Sequence, residues 1–219
     1  MDINLFIAMP FAGLLSSKIA EIPKPGLQAQ LKMAPRHRLS DETLFLNVPT
    51  NARKAAVMML IYPDAEQVLH FCLIQRPTYD GKHSGQISFP GGKKEEQDVD
   101  FWATALRETH EEVGVNPSKV RKLTALSSTY IPPSNFMVYP FLAYTDTRPN
   151  FIPEEGEVEH VIEVPLALLL DETSMQEGEI NASYMKEVIV PMFVFGGDKV
   201  WGATAMVLAE ARELILLAK

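Results

Sequence analysis

Cysteine is almost missing from this chain: Cys72 is the single one in 219 residues. That excludes an intrachain disulfide and any zinc site built on cysteine, and it agrees with a reducing cytoplasm as the expected location. Lying in the apolar run His70-Phe71-Cys72-Leu73-Ile74, it reads as a small buried hydrophobe. Positive charge is also scarce. Lys and Arg total 20 against 28 Asp and Glu, the formal net charge is −8, and there is no basic run or basic amphipathic helix. Nucleic acid is therefore not an expected partner. No segment approaches the roughly 18 apolar residues needed to span a bilayer, so no membrane partner is expected either. The apolar N-terminal stretch has Asp2 before it and Lys18 after it, which is not the charge order of a secretory signal. Repeats and low-complexity segments are absent. What remains is ordinary: 47% hydrophobic and 22% charged residues, in a length that suits one domain with extensions.

Against this background one stretch stands out, Phe89 to Val115. Its second half carries helical spacing, with Trp102, Leu106, Thr109 and Val113 stacked on one face. Glu108, Glu111 and Glu112 fall on the opposite face at i, i+3 and i+4, and Arg107 lies one turn before Glu111. Gly114 is suited to end the helix. Like charges at this spacing repel by about 0.2–0.5 kcal/mol per pair. A hard divalent cation would offset that, since Mg²⁺ sits between one or two carboxylates and substrate phosphates. A solvated acidic face is the alternative reading of the same helix. Pro90-Gly91-Gly92 sets a tight loop before it, where backbone can approach a ligand closely.

Gly92, five residues, Asp98, and then Arg107-Glu108-x-x-Glu111-Glu112-x-Gly114 together resemble the Nudix box, G-x5-E-x7-R-E-U-x-E-E-x-G-U, with U a bulky apolar residue. The chain departs from it at three points. Asp98 replaces the first Glu, eight residues separate it from Arg107 instead of seven, and Thr109 fills an apolar slot. The first two departures are shared by a subgroup resembling coenzyme A pyrophosphatases. That subgroup also carries an upstream pattern similar to Cys72-Leu73-Ile74-Gln75-Arg76-Pro77 followed by Gly85-Gln86-Ile87-Ser88-Phe89-Pro90-Gly91-Gly92. Pro77 and Gly81 stand where the pattern has Ser and a second Arg.

The resemblance implies an α/β fold, the Nudix-type α/β/α sandwich with a mixed sheet. It implies hydrolysis of the pyrophosphate bond of coenzyme A or its derivatives to 3′,5′-ADP and (acyl) 4′-phosphopantetheine, with Mg²⁺ or Mn²⁺. The metal would be held by Glu108, Glu111, Glu112 and the Gly92 carbonyl. Arg107 would orient Glu111 or a loop carboxylate through a charge-assisted hydrogen bond. Arg76, His83, Gly91, Gly92 and Asn135 are the candidate substrate contacts, with Lys82, Ser134 and Phe136 beside them and Glu95 as an extra carboxylate. Two alternatives stay open. One is another nucleoside diphosphate substrate, such as ADP-ribose or a dinucleoside polyphosphate; the other is a non-catalytic Nudix-fold ligand sensor.

The rest of the chain is read around this centre. Residues 1–50 form a helical and irregular extension, with an amphipathic helix over Asn4 to Ile19 that could pair two copies into a homodimer and an irregular lead-in from Lys24 to Asn51. Residues 51–219 form the hydrolase domain. Ala55–Tyr62 and Val68–Gln75 predict a hairpin across Pro63-Asp64-Ala65-Glu66, in which His70 packs across the strands. Val120–Tyr130 and Met137–Tyr144 predict strands, the second at an edge or bulge because of Pro140. Phe151–Glu163 reads as an acidic loop that could supply a further site carboxylate. Pro165–Asp171 reads as a short helix and Val188–Phe195 as a strand. Trp201–Ala218 reads as a long apolar helix anchored by Trp201.

Overall fold

The computed structural model describes residues 17–19, 21–35, 47–78, 84–182 and 185–218. Strand β1 (Arg53–Pro63) is the spine, because its residues alternate between two apolar layers. Met58, Leu60 and Tyr62 point into one layer, Met59 and Ile61 into the other. A strand buried on both faces reads as a continuous apolar run, as Ala-Ala-Val-Met-Met-Leu-Ile-Tyr does. It pairs antiparallel with β2 (Leu69–Gln75) and, over Arg53–Ile61, parallel with the whole of β7 (Phe136–Tyr144). The predicted hairpin is present, and His70 lies opposite Tyr62 with its ring stacked on the phenol.

β1 and β2 stay paired only over Ile61–Pro63 and Leu69–Phe71. Beyond that point they splay, and the chain after residue 84 fills the fork. β3 (Ile87–Ser88) pairs with β2, the Pro90 carbonyl accepts from the Met58 N–H at 2.9 Å, and β4 (Gly91–Lys93) pairs with β1. The glycine loop is thus held inside the sheet. Helix α1 is the short turn Gly26–Leu31, which interrupts the lead-in expected to be irregular.

Helix α2 (Phe101–Val113) lies across β1 on one face of the sheet, burying Ala105 and Val113 against Met58, Leu60 and Cys72. Asp100 caps its start by accepting from the Ala103 N–H at 2.7 Å, and Gly114, at φ 72°, ends it with an N–H to the His110 carbonyl. The opposite face carries α3 (Leu166–Leu170) and α4 (Gly202–Leu217), packed on Phe71, Leu73 and Leu142. A mixed sheet between helical layers is the α/β/α sandwich expected from the sequence. The short helix at Leu166 buries Leu166, Leu169 and Leu170 as predicted.

Four expectations need correction. Of the edge or bulge expected at Pro140, the edge is wrong: β7 is an interior strand, paired with β1 on one side and with β5 (Arg121–Ala125) and β6 (Thr129–Ile131) on the other, with three residues opposite Tyr139 and Pro140. Pro140 is tolerated there because the neighbouring strand breaks between Ala125 and Thr129, beside the proline. The end of the acidic loop is a strand, β8 (His160–Pro165), paired with β2. A second, three-stranded antiparallel sheet is formed by β9 (Met175–Ala182), β10 (Met185–Phe195) and β11 (Asp198–Trp201), of which only the middle strand was legible. Trp201 therefore closes a strand, and the last helix begins at Gly202. Among the described residues no helix is long and apolar enough to cross a membrane. The amphipathic helix expected from Asn4 lies largely outside them.

Candidate active site

Gly91 is the meeting point of the motif residues. Its φ is 146°, and a Cβ there would lie 2.6 Å from Val57 Cα, so only glycine lets β4 close onto β1. Its N–H donates to Glu112 Oε2 at 2.7 Å, and its carbonyl accepts weakly from Arg76 Nη2 at 3.5 Å. The same guanidinium stands 3.7 Å from Glu112 Oε1. Gly92 is pressed against Glu108, whose Cδ would be 2.5 Å from a Cβ at position 92. Helix α2 and the glycine loop are thus joined by two carboxylates that reach back into the fork.

Glu108, Glu111 and Glu112, expected together on the helix face opposite the apolar one, are buried to different degrees. Glu112 is only 3% exposed, at the border between the apolar core and the site, Glu108 is partly buried, and Glu111 is exposed. Spacing alone hid this: residues four apart lie only about 40° apart around the helix axis, so Glu108 and Glu112 both face β4 while Glu111 turns outward. Burial pushes the Glu112 carboxyl up to about 7 against the pull of the Gly91 N–H and Arg76, with Glu108 and Glu157 adding to the rise. Burial also raises Glu108, opposed by Arg107, with Glu111 and Glu157 contributing upward.

Arg107 uses all five of its N–H donors. Nε and Nη2 grip the Asp98 carboxylate at 3.0 and 2.9 Å, Nη1 reaches Glu108 at 3.0 Å and Glu111 at 2.8 Å, and Nη2 also donates to the Lys93 carbonyl at 3.1 Å. The hydrogen bonds from Arg107 hold the Asp98 carboxyl well below the usual carboxylate range, and Asp98 in turn raises the guanidinium. Asp98 also accepts from the Glu95 N–H at 2.9 Å. The sequence marked Asp98 only as a departure from the box; its pairing with Arg107 spans nine positions that no periodicity connects. Glu95 itself is exposed and bonded to Gln97.

Among the glutamates of the acidic loop, the charge of Glu157 is felt at the site, on both Glu108 and Glu112. The loop is zipped to the helix end by Ile152 N–H to the Val113 carbonyl at 3.0 Å and Glu154 N–H to the Glu112 carbonyl at 2.9 Å. Nothing in the sequence separates Glu157 from the other glutamates around it. Among the described residues no three acidic, His or Cys side chains converge as a metal cluster. The donor chemistry nevertheless fits a hard divalent cation: carboxylates raised by burial and by one another are the groups such a charge would relieve. Glu108 and Glu112, with Glu157 nearby, are the residues that would hold it.

Beside the glycine loop opens a cavity of about 360 Å³. Arg76, Gly91, Gly92 and Lys93 line it together with Ser134 and Phe136. Asn135 does not line it. Its φ is 53°, and its side chain accepts from Tyr130 at 2.9 Å and donates to the Asn51 carbonyl at 3.4 Å, which holds the turn before β7. Trp201, expected as a core anchor, is half-buried and contributes to the cavity wall. His83 and Lys82, and Gly81 with them, lie outside the described residues.

The sandwich and the glycine-loop carboxylates define a class that comparison with known proteins confirms. The sequence profile of the NUDIX domain matches residues 52–184, and the chain belongs to the Nudix family. It is 34% identical over 164 residues to "Nudix hydrolase 15, mitochondrial" of Arabidopsis thaliana, an alignment covering 73% of this chain and 57% of the relative. It is 30% identical over 188 residues to "Mitochondrial coenzyme A diphosphatase NUDT8" of Mus musculus, covering 83% and 86%. With "Peroxisomal coenzyme A diphosphatase ndx-8" of Caenorhabditis elegans the identity is 30% over 146 residues, covering 65% and 62%. The chain spans a little over half the length of several of its curated relatives. In fold it is similar to a MutT/nudix family protein from Enterococcus faecalis, at a TM-score of 0.52 and 17% identity, over 87% of this chain and 73% of that one.

Proposed function

We propose that this chain is a divalent-metal-dependent pyrophosphohydrolase acting on coenzyme A or its derivatives, releasing 3′,5′-ADP and (acyl) 4′-phosphopantetheine. The observation that carries the reading is the junction at Gly91. Arg76 closes the upstream motif, Glu112 belongs to the box, and both touch the same glycine. A phosphate placed there would meet a guanidinium fork on one side and backbone of the Gly91-Gly92 turn on the other. Relatives named as coenzyme A diphosphatases, aligned over most of one partner's length, support the substrate class.

The division of labour follows from the geometry. Arg76 binds and orients a phosphate and offsets part of the charge on Glu112. Arg107 fixes Glu108 and Glu111 through one nitrogen while anchored to Asp98 through two others, so both carboxylates are positioned before substrate arrives. Mg²⁺ or Mn²⁺ at Glu108 and Glu112 would neutralise phosphate charge and lower the pKa of a water. The test is turnover of coenzyme A, ADP-ribose and diadenosine polyphosphates side by side, with each metal and with chelator, products identified by mass. Metal-dependent 3′,5′-ADP release from coenzyme A as the dominant reaction is the expected result. Preference for ADP-ribose would transfer the same site to a different nucleoside diphosphate.

A further inference from the structure

Tyr62 is a buried titratable group that the chemistry above does not use. It has no exposure, and burial pushes its phenol up, with Cys72 and Glu163 adding to the rise. Its hydroxyl donates to Glu163 Oε2 at 2.9 Å. Glu163, on β8, is also gripped by Arg148, whose Nε donates to Oε2 at 2.8 Å and whose Nη2 donates to Oε1. Burial would raise the Glu163 carboxyl, but the Arg148 fork and the Tyr62 hydroxyl outweigh it and hold the group below its ordinary value. Phe151 completes the cluster, its ring edge-on to Tyr62 at 5.3 Å between centres and 5.8 Å from the Arg148 guanidinium.

Arg148 and Glu163 stand 15 positions apart, near the two ends of the segment that joins β7 to β8. Glu157 lies inside it, in a turn where the Glu157 and Val158 N–H groups return to the Glu154 carbonyl at 3.2 and 3.0 Å. The same turn meets the site through the Glu154 N–H on the Glu112 carbonyl, and the Glu159 N–H reaches the Gln75 carbonyl, next to Arg76, at 2.9 Å. Residues 152–157 are all exposed, so apolar packing does little to fix this turn. What restrains it is the closure of the segment at its ends, and a bidentate guanidinium on an anchored carboxylate is the firm form of such a closure. The nearby pair Arg121–Asp146, at 3.1 Å, is a contrast: its side chains are 64% and 61% exposed.

We infer that Arg148 is a positioning residue: by clamping Glu163, itself anchored on the Tyr62 hydroxyl, it closes the acidic loop and holds Glu157 toward Glu108 and Glu112, so that a divalent cation meets three carboxylates instead of two. The inference rests on the divalent-metal reading and is indifferent to which nucleotide is hydrolysed.

The experiment is titration of Mn²⁺ into substrate-free protein, with the free ion followed by electron paramagnetic resonance and melting temperatures taken in chelator. Arg148→Ala and Glu157→Gln should each weaken Mn²⁺ binding by about tenfold, the effect of losing an outer support of a metal site. The double variant should be no weaker than Glu157→Gln alone, because the clamp acts only through Glu157. Arg148→Lys keeps the charge without the fork and should recover part of the loss, while Arg121→Ala should bind as wild type does. Losses that add, or Mn²⁺ affinity unchanged in Arg148→Ala whatever its melting temperature, would overturn the inference and leave Arg148 as a clasp of the fold. Should Arg148→Ala not fold, Arg148→Lys alone and combined with Glu157→Gln gives the same comparison. Wild-type protein that binds no Mn²⁺ would defeat the metal reading, and this inference with it.

Discussion

At the scale of single residues, the arrangement depends on where each carboxylate's charge is answered. Asp98 is answered by Arg107 almost completely, and its proton affinity is lowered for that reason. A group whose folded pKa lies below its unfolded one stabilises the fold above the unfolded value, near 3.9, and loses that contribution as pH falls through the folded value. Stability measured by denaturant melts from about pH 5 down to about pH 2 should therefore fall in wild type, most steeply below the unfolded value, and this component should be missing in Asp98→Asn. The variant should also be less stable by about 3 kcal/mol at neutral pH, since Arg107 would keep its charge without its main partner. A slope unchanged by the substitution would show that Asp98 does not carry it. Glu112 is the opposite case, a buried carboxylate answered only in part. Glu112→Gln keeps an acceptor for the Gly91 N–H while removing the buried charge. Metal-dependent turnover should drop by at least about 100-fold, on the scale of losing a charge-stabilising group, while the melting temperature in chelator should not fall. A fall in melting temperature would mean that the charge on Glu112 helps hold the fold.

At the scale of elements, the site depends on how β4 enters the fork between β1 and β2. The two glycines there have different jobs. Gly92 leaves room for the Glu108 carboxylate, whereas Gly91 leaves room for the β1 backbone itself. A flexible side chain can shift and a strand in the centre of a sheet cannot. Gly91→Ala should therefore destabilise the protein by about 3 kcal/mol or more, combining a forbidden φ with overpacking, and reduce turnover by displacing the Glu112 contact. Gly156→Ala is the control: its φ of 91° also strains alanine, but nothing lies within 4 Å of the new Cβ. Chemical denaturation of both variants separates strain from collision, and equal losses would remove the collision argument. Much of this was readable beforehand. Pro-Gly-Gly before a carboxylate-bearing helix announced a close backbone approach, and the apolar runs announced β1 and β2. What was not readable is the outward turn of Glu111 against the inward turn of Glu112. Both sit at helical spacings from Glu108, and only packing on β4 distinguishes them. β8 was hidden because its one glutamate, Glu163, continues the acidic run of the loop before it, and β9 because Gln176-Glu177-Gly178-Glu179 carries no apolar alternation.

At the scale of the whole molecule, the cavity walls come from segments far apart in the chain, and a single buried carboxylate ties them together. Glu210 stands in the middle of α4 with no exposure. Its oxygens accept from the Gly26 N–H at 3.2 Å, the Ser127 N–H at 3.1 Å and the Gln30 side-chain amide at 2.7 Å. Gln30 in turn accepts from Thr129 at 2.6 Å. Helix α1, the loop before β6 and helix α4 are thereby locked in one register, and Pro35, Ile131 and Val207, each within a few residues of those contacts in the chain, all line the cavity. Pro35 and Val207 lie outside the stretch matched by the family profile. In the sequence Glu210 looks like a solvent-facing residue beside Arg212 and Glu213, and its partners are 83 to 184 positions away, so no local pattern could reveal the lock. Removing the carboxylate leaves backbone donors buried without acceptors, which costs about 3–5 kcal/mol. Glu210→Ala should show that loss in denaturant melts. At temperatures where it remains folded, its KM should rise more than its kcat falls, because the cavity wall is loosened while Glu108, Glu112 and Arg107 stand on α2 at the other face of the sheet. Glu210→Gln keeps an acceptor oxygen and should recover part of both effects. A kcat loss larger than the KM change would mean that the lock supports the carboxylates themselves, and would tie the two faces of the sheet into one catalytic unit.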